Sequence, residues 1–167
     1  HLRFYRDGDR EIVVGFAADQ MPPVAHGAVQ LPWPDRLDGG RYLFQGAEFQ
    51  LPITEPGRNA ARHGLVSWTR WHLVTASTDA VTLALDLVPT PGYPFPLAAE
   101  LTYRLDDFGL AGRLVVRNDG SEDAPYGAGF HPWLSPGGYE LDDCTVRVDA
   151  ATHVVTDENG GPVGLEP

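Results

Sequence analysis

The chain contains no lysine. All twelve of its basic side chains are arginine, set against twenty-three aspartates and glutamates, for a formal net charge of -11 over 167 residues. An acidic chain with no basic cluster lacks what nucleic acid and anionic membrane surfaces both need, which is clustered positive charge. Neither is expected as a partner, and neutral ligands stay open. Cysteine occurs once, at Cys144, so an intrachain disulfide and a thiolate metal cluster are impossible. No apolar run reaches the length of a membrane span, and no charged-then-apolar signal segment opens the chain. Together with the cysteine usage, this points to a cytoplasmic protein. A sustained 3.6-residue apolar period is missing too, so no helix is expected. There is no initiator methionine: the chain opens at His1, at or inside a strand, and its start is expected to have been cut, processed or left out.

What the chain has in quantity is punctuation. Nineteen glycines and fifteen prolines break a sequence that is 43% hydrophobic and 21% charged. That composition belongs to a globular domain with a core, and the length suits one domain better than two. Short alternating segments between frequent breaks predict an antiparallel β protein.

Leu2–Arg6 and Glu11–Phe16 read as a hairpin about Asp7-Gly8. Residues 18–34 read as loop, with a short strand at Gly27–Leu31. Arg41–Leu51 reads as a second hairpin about Gly46, and Pro52–Gly64 as a long polar loop carrying Glu55, Arg58, Asn59, Arg62 and His63. Polar loops on a rigid scaffold are where binding groups usually sit. Val66–Val74, with Trp68 and Trp71, alternates roughly, and Val81–Leu87 alternates cleanly. Leu97–Leu105 and Gly109–Asn118 form a meander across Asp106-Asp107. Cys144–Val148 and His153–Val155 are two further short strands, and the chain is expected to stop without a terminal element. About ten strands, each with an apolar face to cover, predict an all-β fold, a large antiparallel β-sandwich of two packed sheets.

The chain is organised around Gly127-Ala128-Gly129-Phe130-His131-Pro132-Trp133-Leu134. Pro132 biases His131 toward extended backbone, while Gly127 and Gly129 let another group approach closely. Aromatic rings flank the imidazole on both sides. Such a site suits a flat polar ligand that needs a proton donor and a stacking surface; a structural histidine at a strand end is the alternative. Pro32-Trp33-Pro34-Asp35-Arg36-Leu37, ahead of Gly39-Gly40, holds Arg36 more firmly than a surface arginine usually is.

Several segments together resemble the aldose 1-epimerase (galactose mutarotase) family. They are Pro32–Leu37 with Gly40-Arg41-Tyr42, Leu51-Pro52 with Glu55-Pro56, and His63-Gly64-Leu65-Val66 with Trp68 and Trp71. Pro91-Gly92-Tyr93-Pro94-Phe95 and Gly127–Pro132 follow in the family's order and at similar spacings. The resemblance implies a mutarotase-like supersandwich whose concave face holds a free hexose such as galactose or glucose. A glutamate there takes the proton of the C1 hydroxyl, a histidine gives one to the ring oxygen, and rotation about C1–C2 before reclosure inverts the anomeric centre. His131 matches the acid, His63 a second, sugar-binding histidine, and Arg36 a sugar-binding arginine. Ring opening does need an acid and a base on one hemiacetal, and imidazole is suited to donating a proton near neutral pH.

The chain departs from the family in places. Asp35 stands where asparagine is usual, Ala60 where an asparagine commonly precedes the first histidine (Asn59 is adjacent), and Trp133 where tyrosine is common. The family's catalytic glutamate lies in a C-terminal part with no counterpart here. Glu166 is not taken for it, because it follows His131 too soon and comes after a Gly-rich turn. The 167 residues are therefore expected to be one sandwich domain forming a portion of a longer mutarotase-like domain. No metal or cofactor is expected, since the reaction needs none and no local histidine pair has ligand spacing. Two alternatives stay open. One is a non-catalytic carbohydrate-binding sandwich, and the other a hexose-6-phosphate 1-epimerase, for which Arg58 and Arg62 could serve.

Overall fold

The computed structural model describes residues 1–158 and 160–167, and among them the regular structure is strand, with three single turns of 3₁₀ helix. In chain order the strands are β1 (Tyr5–Asp7), β2 (Arg10–Val13), β3 (Ala28–Gln30), β4 (Arg36–Asp38), β5 (Arg41–Phe44), β6 (Ala47–Gln50) and β7 (Ala60–Arg62). There follow β8 (His72–Ala76), β9 (Ala80–Leu87), β10 (Leu97–Asp106), β11 (Gly109–Asn118), β12 (Gly129–His131), β13 (His153–Thr156) and β14 (Pro162–Glu166).

The long strands make one four-stranded antiparallel meander in the order β11-β10-β9-β8. β10 and β11 pair from Leu97↔Asn118 to Asp106↔Gly109 without a slip. Period-two alternation puts Leu85 and Leu87 of β9 on one face with Leu97, Ala99 and Leu101 of β10, all buried. Against that face lie Leu31, Trp33, Leu51, Ala61, Val66 and Tyr93, contributed by the shorter strand pairs and their connections. These two layers are the sandwich. Each fully buried leucine contributes about 2 kcal/mol.

The proline-rich connection before β10 is part of the core. Tyr93 is 2% exposed and donates its hydroxyl proton to the Pro125 carbonyl at 2.7 Å. Phe95 meets Tyr93 edge-on at 5.1 Å and touches Phe44 and Phe49, tying the β5–β6 hairpin to the sheet.

The hairpins at Gly8 and Gly46, the strand within Gly27–Leu31 and the 97–118 meander stand as expected. Four expectations need correction. The Pro52–Gly64 stretch is not all loop: it contains β7, which pairs with β4, so Arg36 and His63 are mounted on or beside a strand pair. The strand expected in Val66–Val74 starts at His72, beyond both tryptophans. Residues 144–148 form no strand; Leu141, Val146 and Val148 are exposed and no ladder among the described residues takes them. Finally, β14 pairs with β13, so the described chain does have a terminal element.

Candidate active site

Two strand pairs build the site. β3 pairs with β12 in the register Gly129↔Gln30 and His131↔Ala28, which puts Gln30 and His131 on the same face. β4 pairs with β7 so that Arg36 lies opposite Arg62, one residue before His63. The two pairs are joined where β3 and β7 end: Leu31 bridges Gly64, and the Leu65 amide donates to the Leu31 carbonyl at 2.7 Å. Four short strands, distant in sequence, thus converge on one corner of the fold.

The two predicted histidines meet there. The rings of His63 and His131 are 5.1 Å apart and inclined at 67°. His63 is 7% exposed. The Gln30 side-chain amide donates to its Nδ1 at 2.8 Å, while its Nε2 is buried with no partner among the described residues, as is Nδ1 of His131. His131 faces Trp133 at 6.4 Å in a stacked arrangement, and Trp133 in turn covers His26 at 4.3 Å. His63 also sits in a left-handed backbone conformation, φ +61°, and so does Asp35 at +53°. Non-glycine residues held there cost about 1 kcal/mol or more each, and such strain concentrates at functional sites. The His63 amide donating to the Asp35 carbonyl at 2.7 Å locks the two together.

Burial first, and then the Arg62 cation, lowers the His63 imidazole to a pKa of about 4, from an ordinary 6.5; His131 and Arg36 act in the same direction and Asp35 opposes them. The folded protein therefore holds His63 neutral while an unfolded chain would already have protonated it. Stability is full above about pH 6.5 and declines as pH falls toward 4, by roughly 2–3 kcal/mol from this group. Denaturant midpoints measured across that window are expected to fall with acid, and to fall less steeply in His63→Gln.

Arg36 occupies a different part of the corner. Its Nε and Nη2 grip Glu55 at 2.5 and 3.2 Å, and its Nη1 donates to Asp35 at 2.7 Å. Glu55 gets there by a local fold. Pro56–Arg58 make one 3₁₀ turn, Asn59 reverses the chain at φ +51°, and Glu55 bridges back to Ala60. Arg62 also reaches Glu55, at 3.6 Å. Its hydrogen bond from Arg36 holds the Glu55 carboxyl below the usual carboxylate range, with Arg62 and Arg58 assisting. That contribution is present above the ordinary carboxylate pKa and is lost as pH falls through the lowered one. Glu55→Ala removes the carboxylate that Arg36 and Arg62 share and leaves Arg36 with Asp35 alone. It is expected to cost about 3 kcal/mol, read as a lower denaturation midpoint, while Glu55→Gln costs less.

The three predicted residues do not line one cavity. His63 lies with Arg62, Thr54, Ser67 and Trp68 along a cleft of about 400 Å³. Arg36 faces a cleft of about 500 Å³ with Arg41, Arg58 and Asp157. His131 borders an apolar hollow of about 290 Å³ beside Tyr103 and Phe130. The first cleft has the chemistry of a polyol site: His63 Nε2, Arg62 Nε and Ser67 Oγ are buried and unpartnered among the described residues, and Trp68 is 74% exposed beside them. Polar atoms buried without partners are costly unless a ligand or water meets them. Gln30, Ser67 and the exposure of Trp68 escaped sequence reasoning. A signal existed for Gln30, the polar residue in the otherwise apolar run Ala28–Leu31. Among the described residues no group of three or more His, Cys, Asp or Glu side chains is placed to hold a metal ion.

The fold is an all-β sandwich in which two imidazoles, one buried and one half-buried, meet beside a polar cleft bordered by an exposed tryptophan. The chain matches the aldose 1-epimerase family over residues 2–166, and it belongs to that family. It is 37% identical to the uncharacterized protein YihR of Escherichia coli over 155 residues, which cover 92% of this chain and 50% of that protein. Among solved structures, a galactose mutarotase-like protein of Clostridium acetobutylicum superposes with a TM-score of 0.79 at 23% identity, covering 92% of this chain and 50% of that one. A galactose 1-epimerase of Lactobacillus acidophilus gives 0.77 at 17%, covering 95% and 50%. At those identities the structures establish the shared fold. The chain spans half the length of these relatives.

Proposed function

We propose that the chain supplies the sugar-binding and acid side of an aldose 1-epimerase, which interconverts the α and β anomers of a free hexose such as galactose or glucose. The observation that carries this reading is the His63–His131 pair, 5.1 Å apart, with one nitrogen of each ring buried and unpartnered among the described residues. In this reading the sugar ring lies against the His63–His131 pair, reaching from the Trp68 cleft that His63 lines to the His131 ring 5.1 Å away. His63, held neutral, donates a hydrogen bond; His131 delivers a proton to the ring oxygen as the C1–O5 bond opens and takes it back on reclosure. Arg36 commits three of its five N–H donors to Glu55 and Asp35, so in this reading it chiefly braces the wall that carries His63. The resemblance to the family implies that the base for the C1 hydroxyl is a glutamate of a C-terminal part with no counterpart among these 167 residues. A single exposed Cys144, unpaired, suits a reducing cytoplasm.

A hexose 6-phosphate is the second reading, for which Arg58 and Arg62, both of which act on Glu55, would supply the positive charge. Two-dimensional exchange NMR on equilibrated galactose, glucose and glucose 6-phosphate separates the possibilities. Cross-peaks between anomers of a neutral sugar, growing with full-length protein, support the first reading. Cross-peaks with the phosphate ester alone support the second. Broadening without exchange indicates a binding module and contradicts both.

A further inference from the structure

We propose that Gln30 sets the tautomer of His63, so that Nε2 of this imidazole carries the proton and acts as a fixed hydrogen-bond donor to the ligand. Gln30 is thus a positioning residue acting through His63. Its usefulness to catalysis rests on the aldose 1-epimerase reading, whereas the tautomer itself does not.

Three contacts form a closed loop among Gln30, His63 and Asp35. The Asp35 amide approaches Gln30 Oε1 at 3.4 Å, Gln30 Nε2 donates to His63 Nδ1 at 2.8 Å, and the His63 amide donates to the Asp35 carbonyl at 2.7 Å. A backbone N–H can only donate, so the end of Gln30 nearest Asp35 must be its oxygen. The NH2 end then faces His63. Because NH2 also only donates, His63 Nδ1 must present a lone pair, which leaves the proton on Nε2. The reversed amide would set donor against donor at Asp35. Nε2 is also the His63 nitrogen that is buried without a partner among the described residues.

The fold protects this arrangement. Gln30 and His63 are both buried, so water does not compete for the bond. Gln30 lies opposite Gly129 in the β3–β12 register, and a Cβ at Gly129 would come within 3.0 Å of Gln30 Oε1. The small residue two positions before His131 therefore makes room for the side chain that orients His63. The charged and titratable groups acting on His63 (Arg62, His131, Asp35 and Arg36) bear on its charge. Among the described residues, Gln30 alone contacts Nδ1 in a way that selects between neutral tautomers.

The test is nitrogen-15 NMR of the histidine rings in the full-length protein, for wild type, Gln30→Leu and Gln30→Glu. In wild type the long-range pattern of His63 is expected to show Nε2 protonated and Nδ1 bare. Gln30→Glu places an acceptor at Nδ1, so the proton moves to Nδ1 and the ring titrates closer to the ordinary imidazole range. Gln30→Leu is expected to lower kcat for anomer exchange about tenfold, the worth of one buried hydrogen bond. A wild-type pattern with Nδ1 protonated, or a Gln30→Glu pattern that keeps the proton on Nε2 alone, overturns the proposal. If the tautomer inverts as expected but wild type exchanges no anomers, the role of Gln30 stands and the epimerase reading falls.

Discussion

Replacing His131 by alanine is expected to lower kcat/KM for anomer interconversion by about 100- to 10,000-fold, the usual contribution of a positioned general acid. Stability should change by only about 1 kcal/mol, because the ring loses its contacts with His63 and Trp133 but no hydrogen bond among the described residues. It ends a three-residue strand, and its buried Nδ1 makes no hydrogen bond among the described residues. The backbone bond from the Gly27 amide to the His131 carbonyl, 2.8 Å, survives the substitution. Rate and denaturation midpoint should therefore separate. Parallel losses in both would identify His131 as a packing residue and remove the acid from the mechanism.

The second large effect is structural. Gly64 has φ +76°, and a Cβ there would lie 2.1 Å from the Leu31 carbonyl oxygen and 2.4 Å from its carbon. Gly64→Ala must therefore push apart the ends of β3 and β7, the joint that brings Gln30 to His63. Left-handed strain adds roughly 1 kcal/mol. The combined loss is expected to reach about 4 kcal/mol, a fall in Tm of about 10 °C or failure to fold. Gly46→Ala is the control. It shares the positive φ, +80°, but nothing lies within 4 Å of the added carbon, so only the strain of roughly 1 kcal/mol should appear. Equal effects at the two positions would show that close approach at Gly64 matters little.

The parts of this molecule that were legible in sequence are those whose signal is local. Val81–Leu87 and the 97–118 meander alternate over many residues between turn signals, and they form the four-stranded sheet. The hairpin at Gly46 needs two residues with positive φ, and Gln45-Gly46 provide them. β4 and β7 were missed because three residues carry no period, and Arg-Leu-Asp and Ala-Ala-Arg become strands only by finding each other across the 3₁₀ turn. The converse failure is Cys144–Val148, where alternation is present but no pairing partner lies among the described residues.

The site divides in the same way. His63 precedes a glycine, and His131 follows Gly127-Ala128-Gly129-Phe130 and precedes a proline, so their neighbourhoods marked them as candidates. The pairing of Arg36 with Glu55 was foreseeable as charge complementarity, though not its bidentate geometry. Ser67 is an ordinary residue in an ordinary context, and Gln30 stands out only as the polar residue of the run Ala28–Leu31. Their importance is a matter of which atoms end up buried beside His63, and tertiary packing alone decides that.

Polarimetry of freshly dissolved α-D-galactose and α-D-glucose, with and without the full-length protein, bears most directly on the proposed aldose 1-epimerase activity. The expected result is relaxation to the equilibrium rotation accelerated in proportion to protein concentration, with the acceleration abolished by His131→Ala. Relaxation at the spontaneous rate for both sugars, from protein that is folded and binds them, would contradict it and leave a sugar-binding sandwich without the chemistry.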